Sequence, residues 1–134
     1  MNYEELKRKA DAGDPVSQEE YATACYNGYV KGPLFYNMKK DALKYYQMAA
    51  NLGHREAQFK LSCMLFLEEG GAKYDFDKYL FWLCCAYEMG HKGATDILNR
   101  MLDQGIRREI IEKVIEDIEK NHKNLISGYR RPKV

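Results

Sequence analysis

Apolar and small residues recur at the spacing of an α-helix along most of the chain. In residues 15–27, Ser17, Tyr21, Ala22 and Cys25 fall on one helical face, and the segment that begins at Asp75 repeats this spacing. No stretch alternates apolar and polar residues as a half-buried strand does. The pattern predicts an all-α chain of seven helices, near residues 2–12, 15–27, 38–52, 54–69, 75–89, 91–104 and 106–122.

Capping and turn residues mark where these helices begin and end. Asn2 and Glu5 have the spacing of a capping box, and Asp14 precedes Pro15 as an N-cap precedes the first residue of a helix. Glycines at 53, 90 and 105 stand where a left-handed residue would end a helix. The local signals therefore agree with the helical periodicity.

The helical pattern repeats along the chain. MAANLGHREA (48–57) aligns with CAYEMGHKGA (85–94) at an offset of 37 residues, and KADAGDPVSQ (9–18) aligns with AANLGHREAQ (49–58) at an offset of 40. A helical period of this length is typical of an array of helical hairpins. We place the repeats at about 15–52, 54–89 and 91–122, with an N-terminal half-repeat at 2–12.

The last predicted helix differs from the others. One face of IRREIIEKVIEDIEK (106–120) carries six aliphatic residues, namely Ile106, Ile110, Ile111, Val114, Ile115 and Ile118. A terminal capping helix needs one apolar face against the last repeat and one hydrated face. We therefore predict a C-terminal capping helix, a single domain over residues 1–126, and a flexible basic tail over residues 127–134.

These repeats resemble Sel-one-like repeats (SLR), which are related to tetratricopeptide repeats. The resemblance covers about residues 8–105, and its most specific part is the A-A-x-x-G-H stretch, present as AANLGH at 49–54. Ser62 and Asn99 stand where the family has a helix-packing glycine, and the loop at 28–37 is longer than the family's usual loop. The resemblance implies a right-handed α-solenoid of antiparallel helical hairpins, with two full repeats, partial repeats and a capping helix.

The resemblance also implies a function. SLR proteins act as adaptors or scaffolds, often in bacteria, which implies a non-enzymatic protein–protein interaction module with a protein partner. The alternative is a bacterial immunity protein that neutralises a toxin encoded beside it, since some small, free-standing SLR proteins look like immunity proteins. The neighbouring gene would distinguish the two hypotheses.

Composition and charge exclude several other classes of function. The 134 residues fit one domain, and 21 basic against 20 acidic residues give a net charge of +1, which creates no overall attraction to nucleic acid or anionic lipid. No run of 18 apolar residues could span a membrane, and the N-terminus lacks the pattern of a secretory signal. We expect a cytoplasmic protein with no nucleic-acid, membrane or small-molecule partner.

The residues with catalytic or metal-binding potential have structural explanations. No catalytic triad order, phosphate-binding loop or H-E-x-x-H motif is present, so we expect no enzymatic activity, no cofactor and no metal. The four cysteines include no C-x-x-C pair and are expected to be free thiols: Cys25, Cys63, Cys84 and Cys85. His54 and His91 share one repeat position and should serve the turn. The acidic pairs 68–69 and 75/77 should cap helices or face solvent.

Aromatic residues outside the repeat core are the candidates for partner binding. The loop at 28–37 carries Tyr29, Phe35 and Tyr36 at no helical period, and such residues either tuck under the loop or form a binding surface. In stacked hairpins the first helices line the concave side, where Tyr26 and Arg100 would lie. We predict that these five residues form one recognition surface.

Two further aromatic residues lie on the same side of the predicted array. Phe59 and Phe66 either pack between successive hairpins or contact the partner. We favour packing, because a core residue touches many others and a small array needs every contact.

Overall fold

The structure, a computed structural model, describes residues 2–33 and 36–126, and every predicted helix is present in it. The helices are α1 (Tyr3–Asp11), α2 (Pro15–Tyr26), α3 (Lys39–Asn51), α4 (Arg55–Leu67), α5 (Phe76–Glu88), α6 (Lys92–Asp103) and α7 (Arg108–Asn121), and a 3₁₀ turn follows at Lys123–Leu125. No strand occurs among these described residues. None of the described helices is long and apolar enough to cross a lipid bilayer.

The predicted capping residues satisfy amide groups in the first turns of the helices. Asn2 Oδ1 accepts a hydrogen bond from the Glu5 amide at 3.1 Å, and Asp14 Oδ2 accepts one from the Ser17 amide at 3.1 Å. The predicted stop at Gly53 has a φ of 81°, a conformation that glycine adopts without steric cost. The local sequence signals therefore set these helix ends.

Helices α1 to α6 pack in chain order, each against the next, as in an array of hairpins. Between α2 and α3, Tyr21 meets Tyr45 edge to face with ring centroids 4.8 Å apart. Leu61 of α4 and Leu80 and Leu83 of α5 have no exposed surface. The core thus follows the repeat positions that the sequence predicted.

A buried glutamine joins consecutive helices in two of the repeats. Gln18 Nε2 donates to the carbonyl of Ala10 at 3.0 Å, and Gln58, at the equivalent position, donates to the carbonyl of Ala50 at 3.4 Å. Each bond adds a second donor to a carbonyl near the end of the preceding helix, which also accepts from the amide of the turn glycine, Gly13 or Gly53. This polar position is therefore part of the repeat.

The C-terminal segment folds back onto the turn between α3 and α4. Gln58 Nε2 also donates to the carbonyl of Leu125 at 2.7 Å, and the side chains of Leu125 and Ile126 are buried. A Cβ atom on Gly53 would lie 3.2 Å from the carbonyl oxygen of Asn124, so this segment lies directly against the turn. It connects the end of the chain's last helix to its first full hairpin.

Helix α7 begins later than the sequence indicated. Arg107 has a left-handed φ of 51°, and its guanidinium carbon lies 4.4 Å from the centroid of the Phe76 ring. This cation–π contact with the start of α5 holds Arg107 outside the helix. The first helical residue is therefore Arg108 and not Ile106.

Most of the aliphatic residues of the predicted capping helix pack against the core, but two do not. Helix α7 packs chiefly on α5 and buries Ile111 and Ile118. Ile106, which precedes the helix, is 44% exposed, and Ile110 is 42% exposed. The expected apolar face is therefore present in four of the six residues, because Val114 and Ile115 are partly buried against the core as well, and the expectation is wrong only for Ile106 and Ile110.

The described cysteines are free thiols, as predicted. Cys25, Cys84 and Cys85 are buried, and burial raises the pKa of the Cys84 thiol to about 12 and that of the Cys25 thiol to about 11. A thiolate is the reactive form, so these thiols are core residues of low reactivity.

Candidate functional site

A groove of about 180 Å³ lies between the first helices of successive hairpins, α2 and α4. On α4, its lining residues follow the spacing of one helical face, because residues 60, 63, 64 and 67 are separated by three, one and three positions. We call it the α2–α4 groove. It is lined by Tyr26, Asn27, Tyr46, Lys60, Cys63, Met64, Leu67 and Glu69.

Tyr26 is anchored in this groove by an ion pair. Its hydroxyl donates to the two carboxylate oxygens of Glu69 at 2.7 and 2.9 Å, and Lys39 Nζ donates to Glu69 Oε2 at 2.8 Å. The same ammonium lies 4.7 Å from the centroid of the Tyr26 ring. The three side chains therefore hold one another, and they come from α2, from the start of α3 and from the segment after α4.

The contacts among Tyr26, Lys39 and Glu69 shift the pKa values of these side chains. The hydrogen bond from Lys39 lowers the pKa of the Glu69 carboxyl, and the bond to Glu69 raises the pKa of the Tyr26 hydroxyl. Glu69 is thus ionised and Tyr26 protonated near neutral pH. The tyrosine presents its ring to the groove in one fixed orientation.

This position of Glu69 corrects the sequence-based expectation for the acidic residues at helix ends. Glu68 does end α4, with a left-handed φ of 54°, and Asp75 caps α5 by accepting from the Lys78 amide at 3.1 Å. Glu69 instead binds Tyr26 from a largely buried site. Its partners lie 30 and 43 residues away along the chain, so no local spacing indicated them.

An exposed aromatic cluster borders the α2–α4 groove at the end of α4. Phe66 is 52% exposed, and its ring centroid lies 6.1 Å from that of Tyr74 and 5.1 Å from that of Tyr79. Leu67, which lines the groove, and Tyr74 are exposed as well. The favoured interpretation that Phe66 packs between hairpins is therefore wrong, because more than half of its surface faces solvent.

Phe59 does pack between hairpins, as expected. Its ring stacks on that of His91 with centroids 4.2 Å apart and planes 18° apart. A Cβ atom on Gly93 would lie 2.9 Å from Phe59 Cζ, so a larger residue there would force this ring to move. Phe59 therefore belongs to the contact between the second and third hairpins.

The residues of the predicted first-loop surface lie in several places. Tyr29 is 64% exposed and lines a second groove, of about 310 Å³, with Tyr3, Glu19, Glu20, Thr23 and Ala24. Tyr36 is also exposed, and its hydroxyl donates to Asp41 Oδ1 at 3.2 Å. The predicted site residue Phe35 lies outside the described residues. Neither described tyrosine of the loop is tucked beneath it.

Arg100 is exposed on α6 and lines neither of these two grooves. Tyr26 and Tyr29 line different grooves, although they follow one another closely at the end of α2. The structure thus joins Tyr26 to residues of α4, and Tyr29 to Tyr3 of α1 and to residues of α2. That one partner contacts all five predicted residues stays a prediction.

Both histidines at the repeated turn position cap helices, as predicted. His54 Nδ1 accepts from the Ala57 amide and His91 Nδ1 accepts from the Ala94 amide, each at 3.3 Å. Because Nδ1 of His91 accepts, its neutral ring carries the proton on Nε2, which donates to Glu56 Oε2 at 2.6 Å. Within residues 2–33 and 36–126, no three His, Cys, Asp or Glu side chains are grouped so that they could hold a metal ion.

Comparison with known proteins supports the fold. No protein-family model matches the chain, and no curated protein matches its sequence. The crystal structure of a protective antigen present in uropathogenic Escherichia coli strains, which displays an SLR fold, matches 98% of this chain with a TM-score of 0.66 and 16% sequence identity. The chain spans 29% of the length of that protein. At this identity the likeness shows the fold alone, and it confirms that the chain has the SLR fold that its repeats predicted.

Proposed function

We propose that this chain is a non-enzymatic protein–protein interaction module that binds a segment of a partner protein in the α2–α4 groove. The supporting observation is a cluster of two exposed rings, Phe66 and Tyr74, with the half-buried Tyr79, beside a groove in which Tyr26 is held by Glu69. Contiguous exposed apolar patches mark interaction sites in soluble proteins, and tyrosine and phenylalanine supply much of the energy at interfaces.

The pre-ordered Tyr26 favours binding for an entropic reason. A side chain that is already fixed loses little conformational freedom when a partner covers it. The Tyr26 hydroxyl is occupied by Glu69, so the ring and not the hydroxyl is left for the partner. The charges at the groove are paired within the chain, Lys39 with Glu69 at 2.8 Å and Lys60 with Glu56 at 4.0 Å. A partner segment with an apolar anchor fits this arrangement.

The long first loop extends the proposed surface. Tyr29 and Tyr36 are exposed, and insertions in repeat proteins often lie on the binding face. We include Tyr29, Phe35, Tyr36 and Arg100 as secondary contacts, and Tyr26 as the central one.

The test is capture of partners from a native lysate on the immobilised chain, with crosslinking and quantitative mass spectrometry. A Phe66→Ser/Tyr74→Ser variant should lose the partner, and a Leu52→Ser variant is the matched control because Leu52, just after α3, is 53% exposed. Truncation of an interface anchor typically costs about 2 kcal/mol or more, which weakens binding about thirtyfold.

Two results would contradict the proposal: no protein captured by the wild type after crosslinking, or equal loss in the control. The identity of the partner also tests the narrower immunity hypothesis, which requires a toxin encoded beside this chain. Single Tyr29→Ala, Tyr36→Ala and Arg100→Ala variants then show whether the loop and α6 contribute.

A further inference from the structure

Helix α7 has more apolar surface than α5 covers. Ile111 and Ile118, seven residues apart, are fully buried against α5, and Ile115 is half-buried between them. Beside this buried stripe lies a second, partly exposed one: Ile110 is 42% exposed, Val114 is partly buried against the core, and Ile106, which precedes the helix, is 44% exposed. A solvated helix needs one apolar stripe, so the second stripe indicates another packing partner.

The second stripe lines a groove between α5 and α7 of about 340 Å³. The residues from α7 follow the spacing i, i+3, i+4 and i+7, which is the spacing of one helix contact face. We call it the α5–α7 groove. It is lined by Asp77, Phe81, Ile110, Lys113, Val114 and Asp117. It is separate from the α2–α4 groove, and the two share no lining residue.

The charges around this groove have both signs. Lys113 and Asp77 lie on opposite sides of it, and within the described ranges neither makes a hydrogen bond or ion pair. The Asp117 carboxylate accepts from Asn121 Nδ2 at 2.7 Å and lies 3.4 Å from His122 Nε2. Because a lysine and aspartates stand around one apolar centre, a two-fold axis can bring the lysine of each copy towards an aspartate of the other.

We propose that the α5–α7 groove is the interface of a symmetric homodimer, in which α7 of one copy lies antiparallel to α7 of the other. A two-fold axis brings the same patch of both copies together, so each contact occurs twice. The apolar centres of Ile110, Val114 and Phe81 then cover one another. Each Lys113 faces the aspartates of the other copy and gains the partners that it lacks among the described residues of its own chain.

The first test is the mass of the protein in solution, measured by sedimentation velocity over a wide range of concentrations. The wild type should shift from 15.7 kDa to twice that mass as its concentration rises. Ile110→Glu should weaken self-association about tenfold or more, because it places a charge in the apolar centre. Val16→Glu is the matched control, since Val16 is similarly exposed on α2 and should leave the dimer intact.

The second test uses charge reversal. Lys113→Asp makes the groove wholly acidic, and Asp77→Lys/Asp117→Lys makes it wholly basic, so each variant alone should be monomeric through repulsion between like charges. An equimolar mixture of the two variants should restore a dimer that contains one copy of each. Circular dichroism of each variant alone checks that it is folded.

A wild type that stays monomeric at every concentration would overturn the proposal and leave the groove for an unrelated partner. A dimer that survives both Ile110→Glu and Lys113→Asp would place the interface elsewhere. Folded, monomeric charge variants that fail to associate when mixed would contradict the proposed pairing of Lys113 with the aspartates.

Discussion

A single glycine in the segment between α4 and α5 allows this segment to pack closely against α3. Gly70 is buried and has a left-handed φ of 65°. A Cβ atom there would overlap the carbonyl oxygen of Lys39, would lie 2.9 Å from its carbonyl carbon, and would lie 3.1 Å from Met64 Cε. Because Lys39 is the first residue of α3, the backbone that blocks the new methyl group cannot move without shifting a helix.

Gly70→Ala should therefore be much more destabilising than a glycine substitution that meets no neighbour. Gly105 supplies this control, because it has a similar φ of 70° and a Cβ atom there would have nothing within 4 Å. The left-handed conformation costs an alanine about 1–2 kcal/mol at either position. Overpacking at Gly70 adds about 1–3 kcal/mol, and the effect of alanine on the unfolded chain cancels between the two variants.

The measurement is urea unfolding followed by circular dichroism, with the midpoint and slope fitted for both variants. We expect Gly70→Ala to unfold at a lower urea concentration than Gly105→Ala with an unchanged slope. The free energy of unfolding should differ between the two variants by about 1–3 kcal/mol. Since Lys39 also binds Glu69, the same variant should loosen the anchor of Tyr26. Equal midpoints for the two variants would show that the approach of this loop to α3 is not as tight as the structure has it.

Three further predictions concern the core, the turns and the anchor of Tyr26. Trp82→Ala should lower the free energy of unfolding by about 3–5 kcal/mol in thermal melts, against less than about 0.5 kcal/mol for the exposed Tyr29→Ala. His54→Ala removes a helix cap and should lower the free energy of unfolding by about 1 kcal/mol. His91→Ala should lower it by about 1 kcal/mol more, because it also removes the ring stacked on Phe59 and the hydrogen bond to Glu56. Equal melting temperatures for the two variants would refute this. Folding lowers the pKa of Glu69, so the ionised carboxylate stabilises the fold above the ordinary glutamate pKa, and this stabilisation is lost as the pH falls through the lowered pKa. The difference in melting temperature between the wild type and Glu69→Gln should therefore shrink in acid.

The sequence predicted the helices well because their signals are local. Caps such as Asn2 and Asp14, and the stop at Gly53, act within one turn of the helix they bound. The repeat register then showed which helices are equivalent, and it placed His54 and His91 in the same role. These features need no knowledge of which side chains meet across the fold.

The candidate site was less predictable because its contacts join distant residues. Phe59 and Phe66 lie on one side of α4 seven residues apart, which is about 10 Å along the helix axis. The first meets the start of α6 and the second meets solvent, and this depends on where the third hairpin sits. The role of Glu69 could not be predicted for the same reason, since its position at a helix end does not indicate that it contacts Tyr26 and Lys39.

Helix α7 shows a different limit of pattern reading. Six aliphatic residues correctly indicated an apolar helix, but periodicity alone does not give the width of surface that a neighbour covers. Only the placement of α7 on α5 shows that two of them are buried, that Val114 and Ile115 are partly buried, and that Ile106 and Ile110 are exposed. The exposed aliphatic surface of Ile106 and Ile110 is the feature from which we infer the dimer.

The segment after α7 offers a test of where the folded unit ends, which we propose is near Ile126. Leu125 and Ile126 are buried, and the Leu125 carbonyl accepts from Gln58, whose amide would lack this partner if the segment detached. Leu125→Ala should therefore lower the free energy of unfolding by about 2–4 kcal/mol, as for a core leucine near the surface.

A chain shortened to end after Ile126 is the control. It should have the same melting temperature as the wild type, because the segment 127–134 is short and polar in sequence. Both are compared by thermal and urea unfolding. If Leu125→Ala melts within about 0.5 kcal/mol of the wild type, the segment does not contribute to the fold. If the shortened chain is destabilised instead, the folded unit extends past Ile126, because a terminus that packs against nothing has no contacts to lose.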